Sequence, residues 1–345
     1  MQGADAIYEK LSASLKNIIP DFELRLKADI AWEIEKLKKE RNAVILGHNY
    51  MEPALFNSIP DFTGDSLELS RKAAQVEADI IVFCGVKFMA ETAKILSPQK
   101  TVLVPSPKAG CSLAESITAE DVRALKKQYP GVPVVTYINT YADVKAETDI
   151  CCTSGNAAAV VESLKTDSVI FLPDEYLAGN VARETGRHII FPTKDPAGRK
   201  DPDLDYSMIG WKGCCEVHDK FTVRDVENIR ADFPGTIILA HPECRPEVTA
   251  AADFAGSTSA MIRYVQEHDA PRYLLLTECA MGDNIAASNP GREMLRLCSV
   301  RCPHMHEITL EDTLEALQKT QYVVEVPEDI RVRAFAAVDR MLKIG

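Results

Sequence analysis

Short β-branched and aliphatic runs alternate along the chain with longer stretches whose apolar positions recur every three to four residues. Such runs have the length of buried strands and such stretches read as amphipathic helices, so the pattern predicts parallel α/β units. Three units are visible. "NAVILGHNY" (42–50), "VPVVTYINTY" (132–141) and "GTIILAHPEC" (235–244) are each an apolar run that ends in polar and aromatic residues. Each leads into a small-residue turn that opens a helix: "DFTGDSLELSRKAA", "DICCTSGNAAAVVESL" and "DFAGSTSAMIRYV". A second buried strand follows ("DIIVFCG", "SVIFLPD", "YLLLTEC"), and every unit then reaches a cysteine, in "KAGCSL", "KGCCEV" and "VRCPHM".

One spacing aligns the units. Cys111, Cys215 and Cys302 each stand seven residues before a threonine, Thr118, Thr222 and Thr309, that begins Thr-x-x-Asp. An N-cap hydroxyl with an acid three residues later resembles the capping box, with Asp in place of Glu or Gln. The helices that follow the first two are stopped by Pro-Gly. An offset of 104 residues separates Cys111 from Cys215, Thr118 from Thr222 and Tyr137 from His241. A constant offset across strand, cap and turn predicts three homologous α/β/α domains, each with a parallel sheet, arranged with pseudo-threefold symmetry around a central active site. Their expected bounds are 24–114, 115–218 and 219–320, within the usual domain size. A helix over 24–40, with Leu26, Ile30, Ile34 and Leu37 on one face, precedes the first unit. A last helix, 328–343, presents Ile330, Val338 and Leu342 and is expected to pack back on the first domain. The Pro-, Gly- and Asp-rich stretch 193–208 reads as an exposed excursion.

Charge narrows the partners. A net charge of −12, with no basic block, argues against nucleic acid or an anionic membrane. It leaves room for small anions, which helix N-termini bind without surface basicity. The N-terminus has no basic start followed by an apolar run, and no apolar stretch approaches membrane-spanning length, so a cytoplasmic protein is expected. In that reducing compartment the ten cysteines point to metal or redox chemistry rather than a disulfide framework.

Parallel α/β units present functional groups at the carboxyl ends of their strands. Three units around one axis would bring Cys111, Cys215 and Cys302 to a common centre. Structural zinc takes four ligands, commonly from C-x₂-C pairs, and this chain has no such pair. Three thiolates without a fourth suit a 4Fe-4S cluster with one open iron, a Lewis acid for dehydration. The same register aligns His48, Asn49 and Tyr50 with Tyr137 and Asn139, and with His241 and Glu243. Histidine, tyrosine and glutamate are competent proton-transfer groups. The aligned helix starts add Ser66, Ser154, Ser257 and Thr258, which either cap their helices or bind carboxylate and phosphate groups. In "WKGCCEVHDKFT" (211–222), counting back seven from Thr222 selects Cys215 over Cys214.

The ordered motifs "GHNY", "DFTGDSLELS", "GVKFMAETAKILSP", "CSLA", "TYINTYADVKA", "TSGNA", "HPE", "GSTSAM" and "CPHM" make the chain resemble the quinolinate synthases, iron–sulfur enzymes of NAD biosynthesis, over roughly residues 24–342. The resemblance implies condensation of iminoaspartate with dihydroxyacetone phosphate to quinolinate, with loss of phosphate and two waters. It implies a 4Fe-4S cluster on Cys111, Cys215 and Cys302. It also implies that His48, Ser66, Tyr137, Asn139, Ser154, His241, Ser257 and Thr258 contact the dicarboxylate or the phosphate, that Tyr50 and Glu243 shuttle protons, and that His218 lines the pocket near the cluster. Iminoaspartate would come from an aspartate oxidase or dehydrogenase. A redox pair found in one variant of the family is not expected here, because Cys298 stands four residues from Cys302 in "CSVRC".

Two rival readings remain. A mononuclear zinc hydrolase would draw on Cys and on His304 and His306 of "CPHMHE". A non-catalytic binder of a phosphorylated or dicarboxylic metabolite would leave the cysteines as packing residues.

Overall fold

The computed structural model describes residues 3–191, 207–297 and 300–344. Cys298 and nearly all of the 193–208 stretch lie outside the described residues. The chain forms three purely parallel sheets. The first runs Phe62–Gly64, Ala43–His48, Ile80–Cys84, Thr101–Leu103. The third runs Phe254–Ala255, Ile237–Ala240, Arg272–Leu276, Glu293–Leu295 in the same order. The second, Ile150–Cys152, Val134–Tyr137, Val169–Leu172, Met208–Gly210, adds Ile189–Ile190 at its far edge.

The repeat extends to single hydrogen bonds. Asp61, Asp149 and Asp253 each accept at 2.8 Å from the backbone N–H of the neighbouring first strand, at Ile45, Val134 and Ile238. The backbone N–H of each aspartate returns a bond to the carbonyl of that same residue. Each edge strand is thereby locked in register, and a slip would cost a charge-assisted bond as well as the ladder. The Thr-x-x-Asp caps form as expected. Thr118 with Asp121 and Thr222 with Asp225 make reciprocal bonds, and the Thr309 hydroxyl accepts from the N–H of Asp312 at 3.1 Å. Gly131 and Gly235 follow the first two helices at φ +81° and +82°, a left-handed conformation that only glycine adopts without strain.

Packing is cyclic. The helix Ala119–Gln128, after Cys111, buries Val122 and Leu125 against Val134, Ile170 and Leu172 of the second sheet. The helix Val223–Asp232 buries Val226 against Ile238, Leu274 and Leu276 of the third. The helix Leu310–Lys319, after Cys302, returns to the first sheet and lies against Asp21–Glu40 and Ile80–Cys84. A third unit drawn over 219–320 therefore contains a helix that completes the first.

Two further differences from the sequence reading concern the ends. A helix over Ala4–Leu15 packs on Asp21–Glu40, burying Leu11 and Leu15 against Leu24 and Ala28. The last helix, Glu328–Leu342, lies against Ala142–Ala146 and Ile150–Cys152 of the second unit as well as Lys87–Leu96 of the first. Asn156 donates to the Ile344 carbonyl at 2.8 Å and Arg340 to that of Asp149 at 2.8 Å. The helix thus joins two units rather than covering the first alone. Among the described residues no helix is long and apolar enough to cross a membrane.

Candidate active site

The strand ends of all three units meet at one cavity. Cys111, Cys215, Cys302, His48, Tyr50, Ser66, Tyr137, Asn139, Ser154, His218, His241, Glu243 and Thr258 line it. Ser257 does not. It caps the helix Thr258–Glu267, accepting from the Ala260 N–H, and its hydroxyl donates to Asp65 Oδ2 at 2.9 Å. Asp65, rather than Ser66, caps the helix Ser66–Gln75 in a box with Glu68. That leaves the Ser66 hydroxyl at the first helical position beside the cavity. Ser154 sits in the turn before Asn156, the residue that precedes the helix Ala157–Ser163.

The three cysteines share one local geometry. Each begins a helical turn, in which its carbonyl accepts from the N–H four residues on: Glu115, Asp219 and His306 at 3.0, 2.9 and 3.1 Å. The second and third N–H groups after each cysteine point at its sulfur: Leu113 and Ala114, Val217 and His218, His304 and Met305. Burial nevertheless pushes all three thiols up, Cys111 to about 12 and Cys302 to about 11, so metal must displace protons to bind. The six N–H donors then stabilise thiolates, as in iron–sulfur sites. The three sulfurs do not all lie within 4.8 Å of one another, the closeness that ligands of a single ion require. With Zn–S bonds of about 2.3 Å, tetrahedral ligands stand roughly 4 Å apart. The donor set fits a multi-metal cluster better than one ion.

Facing the cysteines are two imidazoles held alike. His48 Nδ1 accepts from the Tyr50 N–H at 3.2 Å, and His241 Nδ1 accepts from the Glu243 N–H at 3.3 Å. Burial lowers His48 to about 4 despite the pull of Glu243. His241, lowered to about 3, is depressed by burial and then by His218. Both rings are neutral at physiological pH. With Nδ1 engaged as acceptor, each carries its proton on Nε2.

Glu243 is the buried charge. Burial works against its ionisation, but His218, His241 and the Tyr137 hydroxyl hold its carboxyl well below the usual range. Tyr137 donates to Oε1, Asn139 Nδ2 donates to the same oxygen at 3.2 Å, and His218 Nδ1 lies 2.7 Å from Oε2. That last contact is off the ring N–H direction, since His218 Nδ1 has no aligned hydrogen bond, so it is a close polar contact rather than a strong hydrogen bond. Tyr137 and Asn139, expected on the substrate, direct these donors at Glu243. On the other side of the ring, His218 Nε2 is 2.9 Å from Thr277 Oγ1, which also bonds the Tyr50 hydroxyl. Tyr50, Thr277 and His218 thus form one hydrogen-bonded chain that abuts Glu243, and Thr277, His218 and Glu243 stand in the order hydroxyl, imidazole, carboxylate. Burial, then Glu243, raises Tyr50 far above the usual phenol range, so its hydroxyl stays protonated.

Sequence reasoning missed Thr277. It occupies the position held by Gly85 and Pro173 in the other units, so no repeat marks it; its place just beyond a second strand was the available signal. Of the rival zinc ligands, His304 lines the cavity but pairs with Glu216 at 3.2 Å, and His306 is exposed.

Fold and cavity together define an α/β enzyme with one central site, where three repeat-related thiols oppose neutral imidazoles, phenols and a buried carboxylate. Residues 32–343 match the family model described as Quinolinate synthetase A protein. The chain is 53% identical over 330 residues to Quinolinate synthase 2 of Mesorhizobium japonicum, covering 96% of each. It is 51% identical to Quinolinate synthase of Sinorhizobium fredii, covering 98% of this chain and 88% of that one. With Quinolinate synthase of Agrobacterium fabrum the identity is 50%, over 99% and 92%. The chain belongs to the quinolinate synthase family, enzymes of NAD biosynthesis.

Proposed function

We propose that the protein condenses iminoaspartate with dihydroxyacetone phosphate to quinolinate, releasing phosphate and two waters in the cytoplasm. The reading rests above all on three identically cradled cysteines in one cavity with the Tyr50–Glu243 chain. Cys111, Cys215 and Cys302 would hold a 4Fe-4S cluster. When bound, it supplies an open iron as Lewis acid for a hydroxyl or carboxylate oxygen.

The chain's own groups do the rest. His48 and His241 offer Nε2–H to substrate oxygens without adding a charge, which keeps them donors throughout the reaction. Ser66, Ser154 and Thr258 present hydroxyls at or just before three helix starts, where the helix dipoles favour carboxylate and phosphate. Asn49 orients the Thr258 hydroxyl by donating to it at 2.9 Å. The protonated Tyr50 hydroxyl is the group that gives and recovers a proton at the substrate. Thr277 Oγ1 and His218 Nε2 connect it to the ionised Glu243, which balances the imidazolium formed when a proton rests on His218. Tyr137 and Asn139 keep Glu243 in place. Cavity walls of Val86, Phe88, Met89 and Met305 exclude water from an imine-bearing substrate.

The mononuclear reading has one set of candidate ligands among the described residues, Cys215, His218 and Glu243. It leaves two of the three cradled cysteines unused and takes Glu243 from its existing donors. Anaerobic purification separates the two. The cluster reading expects brown protein with broad absorbance near roughly 400 nm, bleached by air. Colourless protein with one stoichiometric zinc overturns it.

A further inference from the structure

Two buried asparagines outside the cavity make the same unusual contact. Asn284 lies in the helix Cys279–Ser288 of the third unit, six residues after Glu278, whose side chain caps that helix. Its Nδ2 donates to the carbonyls of Asn49 and Met51 of the first unit, at 3.1 and 2.9 Å. These are the carbonyls of the residues on either side of Tyr50. Asn180 lies in Glu175–Thr185 of the second unit, six residues after its capping Asp174. Its Nδ2 donates to the carbonyls of Pro242 and Cys244 of the third unit, at 2.8 and 2.9 Å. These flank Glu243. In both cases one amide nitrogen spends its two hydrogens on residues i−1 and i+1 of a group in the proton chain, across the boundary between units.

Three observations separate this from ordinary packing. First, the clamp is selective. The equivalent position in the helix Lys87–Leu96 is Thr92, whose hydroxyl bonds its own helix at the Phe88 carbonyl, 2.8 Å away. Among the described residues, the strand end of the second unit, with Tyr137 and Asn139, has no such amide; its Thr140 carbonyl accepts from Lys145 Nζ instead. The paired amide contact is made at the strand ends carrying Tyr50 and Glu243. Second, the amide orientation is determined, because reversal would set a carbonyl oxygen against two others. Third, Asn284 Oδ1 is buried with no hydrogen-bond partner. A half-satisfied buried amide is costly, and an apolar residue there would avoid that cost. Asn180 is fully satisfied, its Oδ1 accepting from Thr249 at 2.6 Å.

We propose that Asn284 and Asn180 are positioning residues, each fixing from the neighbouring unit the peptide that carries one end of the proton chain, Asn284 for Tyr50 and Asn180 for Glu243. The proposal rests on the proton-transfer roles given above to Tyr50 and Glu243. A shift of one ångström at a reacting group is enough to cost about a hundredfold in rate, so the grip acts on kcat rather than on substrate affinity.

The test is a double-mutant cycle on reconstituted enzyme, with cluster absorbance recorded for every variant. Asn284→Leu should keep the absorbance and hold KM within about threefold, while kcat falls about 10- to 100-fold. Tyr50→Phe should cost about 10²- to 10⁴-fold alone, and markedly less in the Asn284→Leu background, because the two residues act as one unit. Asn180→Leu should show the same split between kcat and KM. An unchanged kcat, a loss in KM alone, or fully multiplicative losses would overturn the positioning role. If Asn284→Leu does not fold, the isosteric Asn284→Asp takes its place under the same criteria, and failure of both to fold assigns the residue to stability instead. Tyr50→Phe with full activity would refute the proton-chain reading itself, an outcome distinct from an active Asn284→Leu beside an inactive Tyr50→Phe.

Discussion

Replacing His48 by asparagine tests whether the cavity imidazoles are neutral. In the folded protein His48 titrates near 4 and His241 near 3, against 6.5 for an unburied ring. Below pH 6.5 the unfolded chain therefore takes up protons that the folded protein refuses. Stability is fully present above the unfolded value and is lost as pH falls toward the folded one. Between pH 7 and about pH 5 each ring should remove about 2 kcal/mol of stability, since both folded values lie below that window. His48→Asn keeps an oxygen that can accept the Tyr50 N–H and removes the titration. Urea unfolding of the cluster-free protein at both pH values measures the difference. The variant should lose about 2 kcal/mol less than wild type on acidification, and His241→Asn should behave alike. An identical pH dependence in wild type and His48→Asn would mean that His48 titrates in the folded protein as it does unfolded. The claim that burial keeps the cavity imidazoles neutral would then fall.

Other consequences are as direct. Cys215→Ala should abolish cluster assembly, measured as bound iron and absorbance, whereas Cys214→Ala should leave both intact; equal loss from the two would break the repeat register. Gly235→Ala should destabilise by about 1 kcal/mol through its left-handed φ, with kcat unchanged. A neutral effect on the melting temperature would contradict the strained turn.

What could be read from the sequence was what repeats. The Cys–Thr spacing carried the three cysteines, the strand ends and the helix starts, because each unit uses the same local hydrogen bonds to make the same turn. Asymmetric features stayed hidden. Thr277 replaces a glycine and a proline in its sister units, and nothing local distinguishes its hydroxyl from any other threonine after a strand. Asn180 and Asn284 act only across unit boundaries, a relation that hydrophobic periodicity does not encode. The cap at Asp65 was displaced by one residue, since Asp and Ser are both good N-caps and their order alone does not choose between them. The helix Leu310–Lys319 was assigned by sequence order to the third unit. Its apolar face, with Leu310 and Leu317, is instead needed to cover the first sheet.

The account stands most directly on one reaction. Anaerobically reconstituted protein, given iminoaspartate and dihydroxyacetone phosphate, should form quinolinate and release one phosphate for each molecule made, and cluster-free protein should form none. Reconstituted protein that makes no quinolinate, or cluster-free protein that makes as much, would contradict it.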